Sequence, residues 1–122
     1  MEPKQIILYV ADMERSVALY TDVLGITADR PAPTFTSFTL SSGMFLELIQ
    51  SETLDVLPTV GGGAVETCFE ATSREEVAQT HDRWVTLGLT SLEAPTDVRF
   101  GYTAVVADPD GHRLRILLPP QR

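Results

Sequence analysis

Residues 5–25, QIILYVADMERSVALYTDVLG, and residues 66–88, ETCFEATSREEVAQTHDRWVTLG, present the same order of structural signals. In each stretch, a strand-like run leads to a helix-capping residue, Asp12 or Ser73, and then to apolar residues at helical spacing. A glycine, which favours the C-terminal end of a helix, closes both stretches. The chain is therefore predicted to contain a repeated unit of strand and helix.

Further strand patterns follow each predicted helix. In the first half, residues 35–40 and 44–49 are separated by Ser41-Ser42-Gly43, which is a hairpin signal. In the second half, the strand patterns cover residues 89–92, 102–107 and 112–118. The last of these follows Asp108-Pro109-Asp110-Gly111, which has proline and glycine where a type I turn prefers them.

The repeat predicts an α+β fold with two βαβββ modules, residues 5–50 and 64–119, joined by a linker over residues 51–63. The linker contains Pro58 and three consecutive glycines, which interrupt both helical and strand patterns. One module is too small to bury its own sheet face, so the modules are expected to pack together or to pair with another chain. The sequence leaves open whether they pair within or between chains.

The composition indicates a single compact domain with a core, since 43% of the 122 residues are hydrophobic. The formal net charge is −8, which disfavours a nucleic acid or an anionic membrane as partner. The same charge favours a cationic ligand, although it also serves solubility. Because Cys68 is the only cysteine and neither a secretion signal nor a membrane-length apolar run is evident, we expect a cytoplasmic protein.

Four polar positions coincide when the two halves are aligned. Gln5 matches Glu66 at the start of each first strand, and Glu47 matches Arg115 in the middle of each last strand. Side chains alternate between the two faces of a strand, so each aligned pair of residues is expected to lie on the corresponding face of its sheet, among apolar neighbours. One interpretation is a structural ion pair between Glu47 and Arg115, joined by Glu66 and Gln5, since buried charges need partners. The other interpretation is a binding site.

The chain resembles the vicinal-oxygen-chelate superfamily of glyoxalases, extradiol dioxygenases and bleomycin-resistance proteins at two places. The first is Val10-Ala11-Asp12-Met13-Glu14-Arg15-Ser16 with Tyr20 and Leu24-Gly25, which is similar to the first-module pattern of the superfamily. The second is Asp108-Pro109-Asp110-Gly111-His112, which is similar to its final-hairpin signature. The resemblance implies that the two modules form a curved eight-stranded mixed sheet around a cleft, the glyoxalase/bleomycin-resistance fold.

In metal-dependent members of this superfamily, the ligands lie on the first and last strands of each module. The resemblance places Gln5, Glu47, Glu66 and Arg115 at those positions. Arginine stays protonated and would bring a positive charge into the coordination shell, so no metal is expected. If a divalent metal is bound, Gln5, Glu47 and Glu66 are the expected ligands.

Aromatic side chains are the predicted partners of a flat organic ligand. Tyr9 shares a strand face with Gln5, and Phe100 and Tyr102 end a proline-containing loop over residues 94–102. Three other aromatic residues are expected in the core or in a dimer contact: Phe35, Phe38 and Trp84.

Three residues with potentially reactive side chains are predicted to be structural. Cys68 has no evident histidine partner and is expected to be a small buried residue. His81 lies on the apolar stripe of the second predicted helix, and His112 flanks a turn.

These features favour a non-catalytic homodimer that binds or sequesters a planar or cationic organic compound, such as an antibiotic, as in the drug-binding branch of the superfamily. Stacking surface would come from Tyr9, Phe100 and Tyr102, and polar groups of the ligand would be oriented by Glu47, Glu66 and Arg115. Gln5 is a further expected ligand-binding residue. Three alternatives stay open. A metal-dependent lyase or dioxygenase would use Gln5, Glu47 and Glu66, a metal-free enzyme would use Glu66 or Glu47 as general base, and a structural dimer would bind no ligand.

Overall fold

The computed structural model describes residues 2–54 and 65–120 of the chain. These residues belong to two compact units, residues 1–59 and 60–122. Most of the predicted linker, residues 51–63, lies outside the described residues, although Ser51–Thr53 form a short 3₁₀ turn. Neither helix in the described part of the chain has the length and apolar character needed to cross a membrane.

The first unit contains β1 (Gln5–Val10), α1 (Met13–Leu24), β2 (Phe35–Thr39) and β3 (Phe45–Gln50). Its mixed sheet has the order β1-β3-β2, with β1 parallel and β2 antiparallel to β3. The Asp12 side chain accepts a hydrogen bond from the Arg15 amide, and Gly25 ends the helix with a φ of 70°. The predicted caps of the first helix are therefore confirmed.

One face of this sheet forms the core of the first unit with α1. Alternate strand residues are buried on that face, among them Leu8, Leu46 and Leu48, and the helix contributes Met13 and Tyr20. Apolar residues recur at every second position of the strands and at every third or fourth position of the helix. Each element therefore has one apolar surface, and the two surfaces pack together. Burial of each such large side chain contributes about 2 kcal/mol to folding.

The structure corrects the predicted strand count. The described residues form seven strands, in one sheet of three and one of four, so a single eight-stranded sheet is not confirmed. Where a further strand would precede β2, only Asp29 pairs, its amide donating to the Ser37 carbonyl at 2.7 Å. Arg30 then adopts a left-handed φ of 43°, and the prolines at 31 and 33 offer no N–H to a ladder. The segment before β2 therefore pairs with β2 through the single bridge between Asp29 and Ser37.

The second unit contains β4 (Glu66–Glu70), α2 (Arg74–Thr86), β5 (Thr90–Val98), β6 (Gly101–Ala107) and β7 (Arg113–Leu118). Its mixed sheet has the order β4-β7-β6-β5, with β4 parallel to β7 and the other neighbours antiparallel. This unit therefore has the predicted βαβββ order.

The helix of the second unit is capped and packed as predicted. Ser73 accepts a hydrogen bond from the Glu76 amide, which confirms the predicted N-cap. The buried residues of α2 are Val77, His81 and Trp84, the apolar face predicted from the sequence. The Trp84 ring meets the Phe69 ring edge-on at 5.4 Å between centroids, which places Trp84 in the core.

The predicted turn before β7 is also confirmed. The Gly111 amide donates to the Asp108 carbonyl at 3.0 Å, the bond that closes a four-residue turn. The Asp108 carboxylate accepts from the amides of Asp110 and His112, which holds His112 beside the turn as expected.

The structure changes the picture of residues 94–102, which were predicted to form a loop. Strand β5 runs on to Val98, and only Arg99 and Phe100 separate it from β6. The pairing of β5 with β6 shifts register twice, between Ser91 and Glu93 and between Glu93 and Thr96. Because β5 is an edge strand and its register is irregular, it can carry Pro95 without losing the sheet.

Candidate functional site

The face of the first sheet opposite α1 has a carboxylate at its centre; we call it the Glu47 face. Strand register arranges its side chains in three rows of three. The rows are Gln5, Phe45 and Thr39; Ile7, Glu47 and Ser37; and Tyr9, Ile49 and Phe35. Tyr9 therefore lies on the same face as Gln5 and Glu47, as the alternation of side chains predicts.

Glu47 is buried although several of its neighbours are not. Its exposed fraction is 5%, whereas Ile7, Tyr9 and Phe35 retain 44%, 41% and 42%. The Gln5 side-chain amide donates to a Glu47 carboxylate oxygen at 2.6 Å. Within the described part of the chain this is the one hydrogen bond found for the Glu47 carboxylate. A desolvated acid with one neutral donor still favours a positively charged partner.

The second sheet carries an ion pair on its face opposite α2, the Arg115 face, which includes Glu66, Cys68, Thr103 and Leu117. The Arg115 guanidinium donates from Nε and Nη2 to the two carboxylate oxygens of Glu66, at 2.9 and 3.0 Å. Its Nη1 donates to the Thr103 hydroxyl at 3.0 Å, and that hydroxyl donates to the Ile116 carbonyl at 2.8 Å. The guanidinium is thus held by three hydrogen bonds to two residues.

The ion pair and partial burial both shift pKa values on the Arg115 face. The hydrogen bonds from Arg115 hold the pKa of Glu66 below its ordinary value, although partial burial opposes this effect. Partial desolvation raises the pKa of the Cys68 thiol, the charge of Arg115 lowers it, and the carboxylates of Glu66 and Glu70 raise it. The expectation that Cys68 is buried is wrong, because its side chain is exposed on β4.

The same diagonal contact occurs in both units. Gln5 lies opposite Phe45 in the parallel pair of β1 and β3, and its side chain reaches Glu47, two residues along. Glu66 lies opposite Arg113 in the parallel pair of β4 and β7, and it reaches Arg115, again two residues along. The aligned positions are therefore geometrically equivalent. Within the second unit, the acid that pairs with Arg115 is Glu66, one of the partners that the sequence interpretation included.

The residues at these positions do not suit a divalent metal ion. Both oxygens of Glu66 are occupied by a guanidinium that is itself a cation. In the first unit, the donor facing Glu47 is the amide nitrogen of Gln5, and the amide oxygen is the atom that could bind a metal. Among the described residues, no group of three or more His, Cys, Asp or Glu side chains is arranged to hold an ion.

The two predicted aromatic contacts of the second unit lie on opposite sides of the sheet. The Phe100 ring is 5.2 Å from the Arg115 guanidinium carbon, so it borders the Arg115 face. Tyr102 lies in register with Leu118 on the face that α2 covers. The guanidinium of Arg74, at the start of α2, stacks on its ring at 3.8 Å. Tyr102 is therefore not placed with Arg115, because one residue of strand register reverses the side.

His81 has the structural position expected from the sequence. It is buried on α2, and its Nε2 lies 2.7 Å from the Ser91 hydroxyl on β5. The contact links the helix to the edge strand. Phe38 is fully buried in the first unit, whereas Phe35 lies on the Glu47 face.

The first unit contains a cavity of about 610 Å³ between the start of α1, the segment before β2 and the end of β3, which the sequence patterns do not predict. Gln50 is one of its wall residues, and the prolines at 31 and 33 are two others. The two closely spaced prolines were the available signal, because they leave two nearby positions without an N–H for a strand ladder and so favour a segment that departs from the sheet.

Comparison with known proteins agrees with the architecture. Residues 3–116 match the family model of the Glyoxalase/Bleomycin resistance protein/Dioxygenase superfamily. The solution structure of protein ATC0852 from Agrobacterium tumefaciens is 35% identical, with a TM-score of 0.91 and 99% of each chain covered. No curated protein matches the chain.

Two further solved structures are similar to the chain. A glyoxalase-related enzyme from Fulvimarina pelagi is 25% identical, with a TM-score of 0.88 over 98% of this chain and 89% of the other. A glyoxalase/bleomycin resistance protein/dioxygenase family enzyme from Burkholderia phytofirmans PsJN is 19% identical. Its TM-score of 0.83 over 96% and 98% of the two chains supports the fold alone.

One βαββ unit and one βαβββ unit, with polar pairs at equivalent strand positions, define the class of protein. The chain belongs to the Glyoxalase/Bleomycin resistance protein/Dioxygenase superfamily, which is the vicinal-oxygen-chelate superfamily.

Proposed function

We propose that this chain is a non-catalytic binding protein of the superfamily, which binds or sequesters a planar or cationic organic compound such as an antibiotic. The observation that carries the proposal is the Glu47 carboxylate, which is 5% exposed and lies at the centre of an apolar and aromatic sheet face. A flat cation could both stack on the aromatic side chains of this face and neutralise the Glu47 carboxylate.

A cationic ligand is favoured because the Glu47 carboxylate is removed from water and the described residues supply no cation to pair with it. Gln5 supplies one neutral hydrogen bond, at 2.6 Å. A hydrogen bond between charged groups contributes about 2 kcal/mol, roughly twice a neutral one. Stacking of a cation on Tyr9 or Phe35 would add about 1 kcal/mol.

The Arg115 face would complement this binding in a different way. Because Glu66 neutralises Arg115, the pair adds no net charge. We propose that Arg115 orients polar groups of the ligand and that Phe100 provides further stacking surface. A ligand carboxylate could bind Arg115 only by displacing Glu66, so anions are expected to be poor ligands.

The test uses three flat compounds of similar shape and different charge: N-methylacridinium, neutral acridine and 9-anthracenecarboxylate. We expect the cation to bind most tightly, as measured by calorimetric titration at neutral pH. The Glu47→Gln variant should weaken the cation about tenfold and leave the neutral compound nearly unchanged. The control is Glu75→Gln, which removes the same charge from the first turn of α2, outside both proposed sites. Equal binding of all three compounds, or an unaffected Glu47→Gln variant, would contradict the proposal.

A second candidate is a metal-dependent lyase or dioxygenase with Gln5, Glu47 and Glu66 as ligands. It is favoured by the similarity to a glyoxalase-related enzyme, and it requires Arg115 to release Glu66. The test is elemental analysis of the purified protein, followed by titration with Ni²⁺, Zn²⁺, Mn²⁺ and Fe²⁺. Stoichiometric binding that disappears in Glu47→Gln would replace the metal-free proposal with this one.

We also propose that the working form is a cytoplasmic homodimer. Exposed apolar side chains such as Val85, at 43%, and Leu92, at 48%, are consistent with a further protein contact. Sedimentation equilibrium at micromolar concentration tests the dimer, and a monomer throughout that range would contradict it. Fractionation of the producing cells tests the location.

A further inference from the structure

The cavity beside the start of α1 is separate from the Glu47 face, and we infer that it is a second binding site, for a compact apolar molecule that carries a protonated amine. Its volume of about 610 Å³ lies within the range of small-molecule sites. The residues that surround it all belong to the first unit. This inference does not depend on the proposed function.

Most of the cavity wall is apolar and built from short or rigid side chains. The apolar wall residues are Ala11, Met13, Val17, Pro31, Ala32 and Pro33. Proline and alanine lose almost no side-chain entropy when a ligand arrives, so the wall is preorganised. Met13 is the flexible member and can adjust to the shape of the ligand.

The neutral polar groups of the wall are already engaged. The Thr36 hydroxyl exchanges hydrogen bonds with the amide and the carbonyl of Ala32, both at 3.3 Å. The Gln50 side-chain oxygen accepts from the Met13 amide at 3.2 Å, and its nitrogen donates to the Ala11 carbonyl at 2.5 Å. Because Thr36 and Gln50 already make these hydrogen bonds within the protein, they are poorly placed to donate a further hydrogen bond to a ligand.

The uncommitted polar atoms of the wall are carboxylate oxygens. One oxygen of Asp12 caps α1 by accepting from the Arg15 amide at 3.0 Å, and the described residues supply no partner for the other. They also supply none for the carboxylate of Glu14, which lines the same cavity. Carboxylates only accept hydrogen bonds when ionised, so a matching ligand must donate them.

The charge balance favours a cation in spite of the nearby helix end. The N-terminus of a helix carries roughly half a positive charge, which repels cations. Asp12 and Glu14 together bring two negative charges to the same place. The caps from Asp12 and Gln50 further occupy the amides of Arg15 and Met13. The charged side chains that line the cavity are therefore both negative, and a protonated amine is the group that complements them.

The experiment compares cyclohexylamine, cyclohexanol and cyclohexanecarboxylate, which share one apolar body, by nuclear magnetic resonance of the full chain. These non-planar probes disfavour stacking on the Glu47 face. We expect the amine alone to bind and to shift the amide signals of Met13, Glu14 and the Gln50 side chain.

Two conservative variants test the role of the carboxylates. Glu14→Gln and Asp12→Asn should each weaken amine binding about threefold, and the double variant about tenfold. Asparagine remains a good N-cap, so α1 should persist. The matched control is Glu75→Gln, the equivalent first-turn position of α2. The Glu47→Gln variant should leave amine binding unchanged, and this separates the cavity from the Glu47 face.

The inference is overturned if the alcohol binds as tightly as the amine, or if the double variant binds the amine normally. It is equally overturned if the shifted signals lie outside the cavity, or if Glu75→Gln has the same effect as Glu14→Gln. An increase in affinity as salt is lowered, lost in the double variant, would support it.

Discussion

At the scale of single residues, two equivalent positions carry different chemistry. Glu47 receives one hydrogen bond from Gln5, whereas its counterpart Arg115 is held by Glu66 and by Thr103. The first arrangement leaves a negative charge that favours a partner, and the second is already neutral. The difference assigns the charge selectivity of the proposed ligand to the first unit.

The lowered pKa of Glu66 makes stability depend on pH. In the unfolded chain the carboxyl regains its ordinary, higher pKa, so the unfolded state binds the proton first as pH falls. The contribution of the ion pair is therefore full above the ordinary pKa of glutamate, and it is lost as pH falls through the lowered value. We expect Glu66→Gln to reduce the free energy of unfolding at neutral pH and to have a diminishing effect in acid.

Urea unfolding between about pH 7 and pH 3 measures this dependence. The control is Glu70→Gln, which lies on the same strand and the same face. A loss of stability in Glu66→Gln that stays constant over the whole range would contradict the assignment.

At the scale of elements, the turn between β5 and β6 illustrates how one residue fixes the placement of a strand. Gly101 has a φ of 143°, and a Cβ added there would overlap the backbone carbonyl oxygen of Leu118 on β7. Glycine is required because both the conformation and the neighbouring strand exclude a side chain. The same turn places Phe100 beside Arg115.

We expect Gly101→Ala to destabilise the protein by about 3 kcal/mol, because it adds a steric clash to an unfavourable φ. Gly88→Ala isolates the second effect, since its φ is 107° and an added Cβ meets no atom within 4 Å. That variant should lose about 1 kcal/mol. Chemical denaturation measures both, and equal losses would show that the approach of Leu118 is unimportant.

At the scale of the whole molecule, charge is the property that limits the partners. The net charge of −8 comes from seventeen acidic and nine basic residues. Two of the basic residues, Arg74 and Arg115, are engaged with Asp97 and Glu66. Pairing of this kind reduces the positive surface that a polyanion could contact.

We therefore expect the protein to show no affinity for double-stranded DNA or for anionic vesicles at neutral pH and about 150 mM salt. Fluorescence anisotropy of a labelled duplex and vesicle sedimentation are the measurements. Lysozyme, which is strongly basic, serves as the positive control. Binding that weakens as salt is raised would contradict the expectation.

The amino-acid sequence by itself determined the two helices, their N-caps and the order of most strands among the described residues. The caps at Asp12 and Ser73, the turn at Asp108 and the buried face of α2 are local features, each satisfied by residues within a few positions along the chain. The repeat also identified the equivalence of Gln5 with Glu66 and of Glu47 with Arg115, because equal spacing within equal units leads to equal places.

Only the tertiary structure decided which of these side chains meet. The partner of Arg115 and the side of the sheet on which Tyr102 lies depend on strand register, where a shift of one residue reverses the face. The truncated pairing at Asp29 and the cavity beside α1 arise from the path of the segment before β2. The prolines at 31 and 33 indicate that this segment leaves the sheet, but the cavity forms only where the segment meets α1 and β3, and local sequence signals do not encode that meeting.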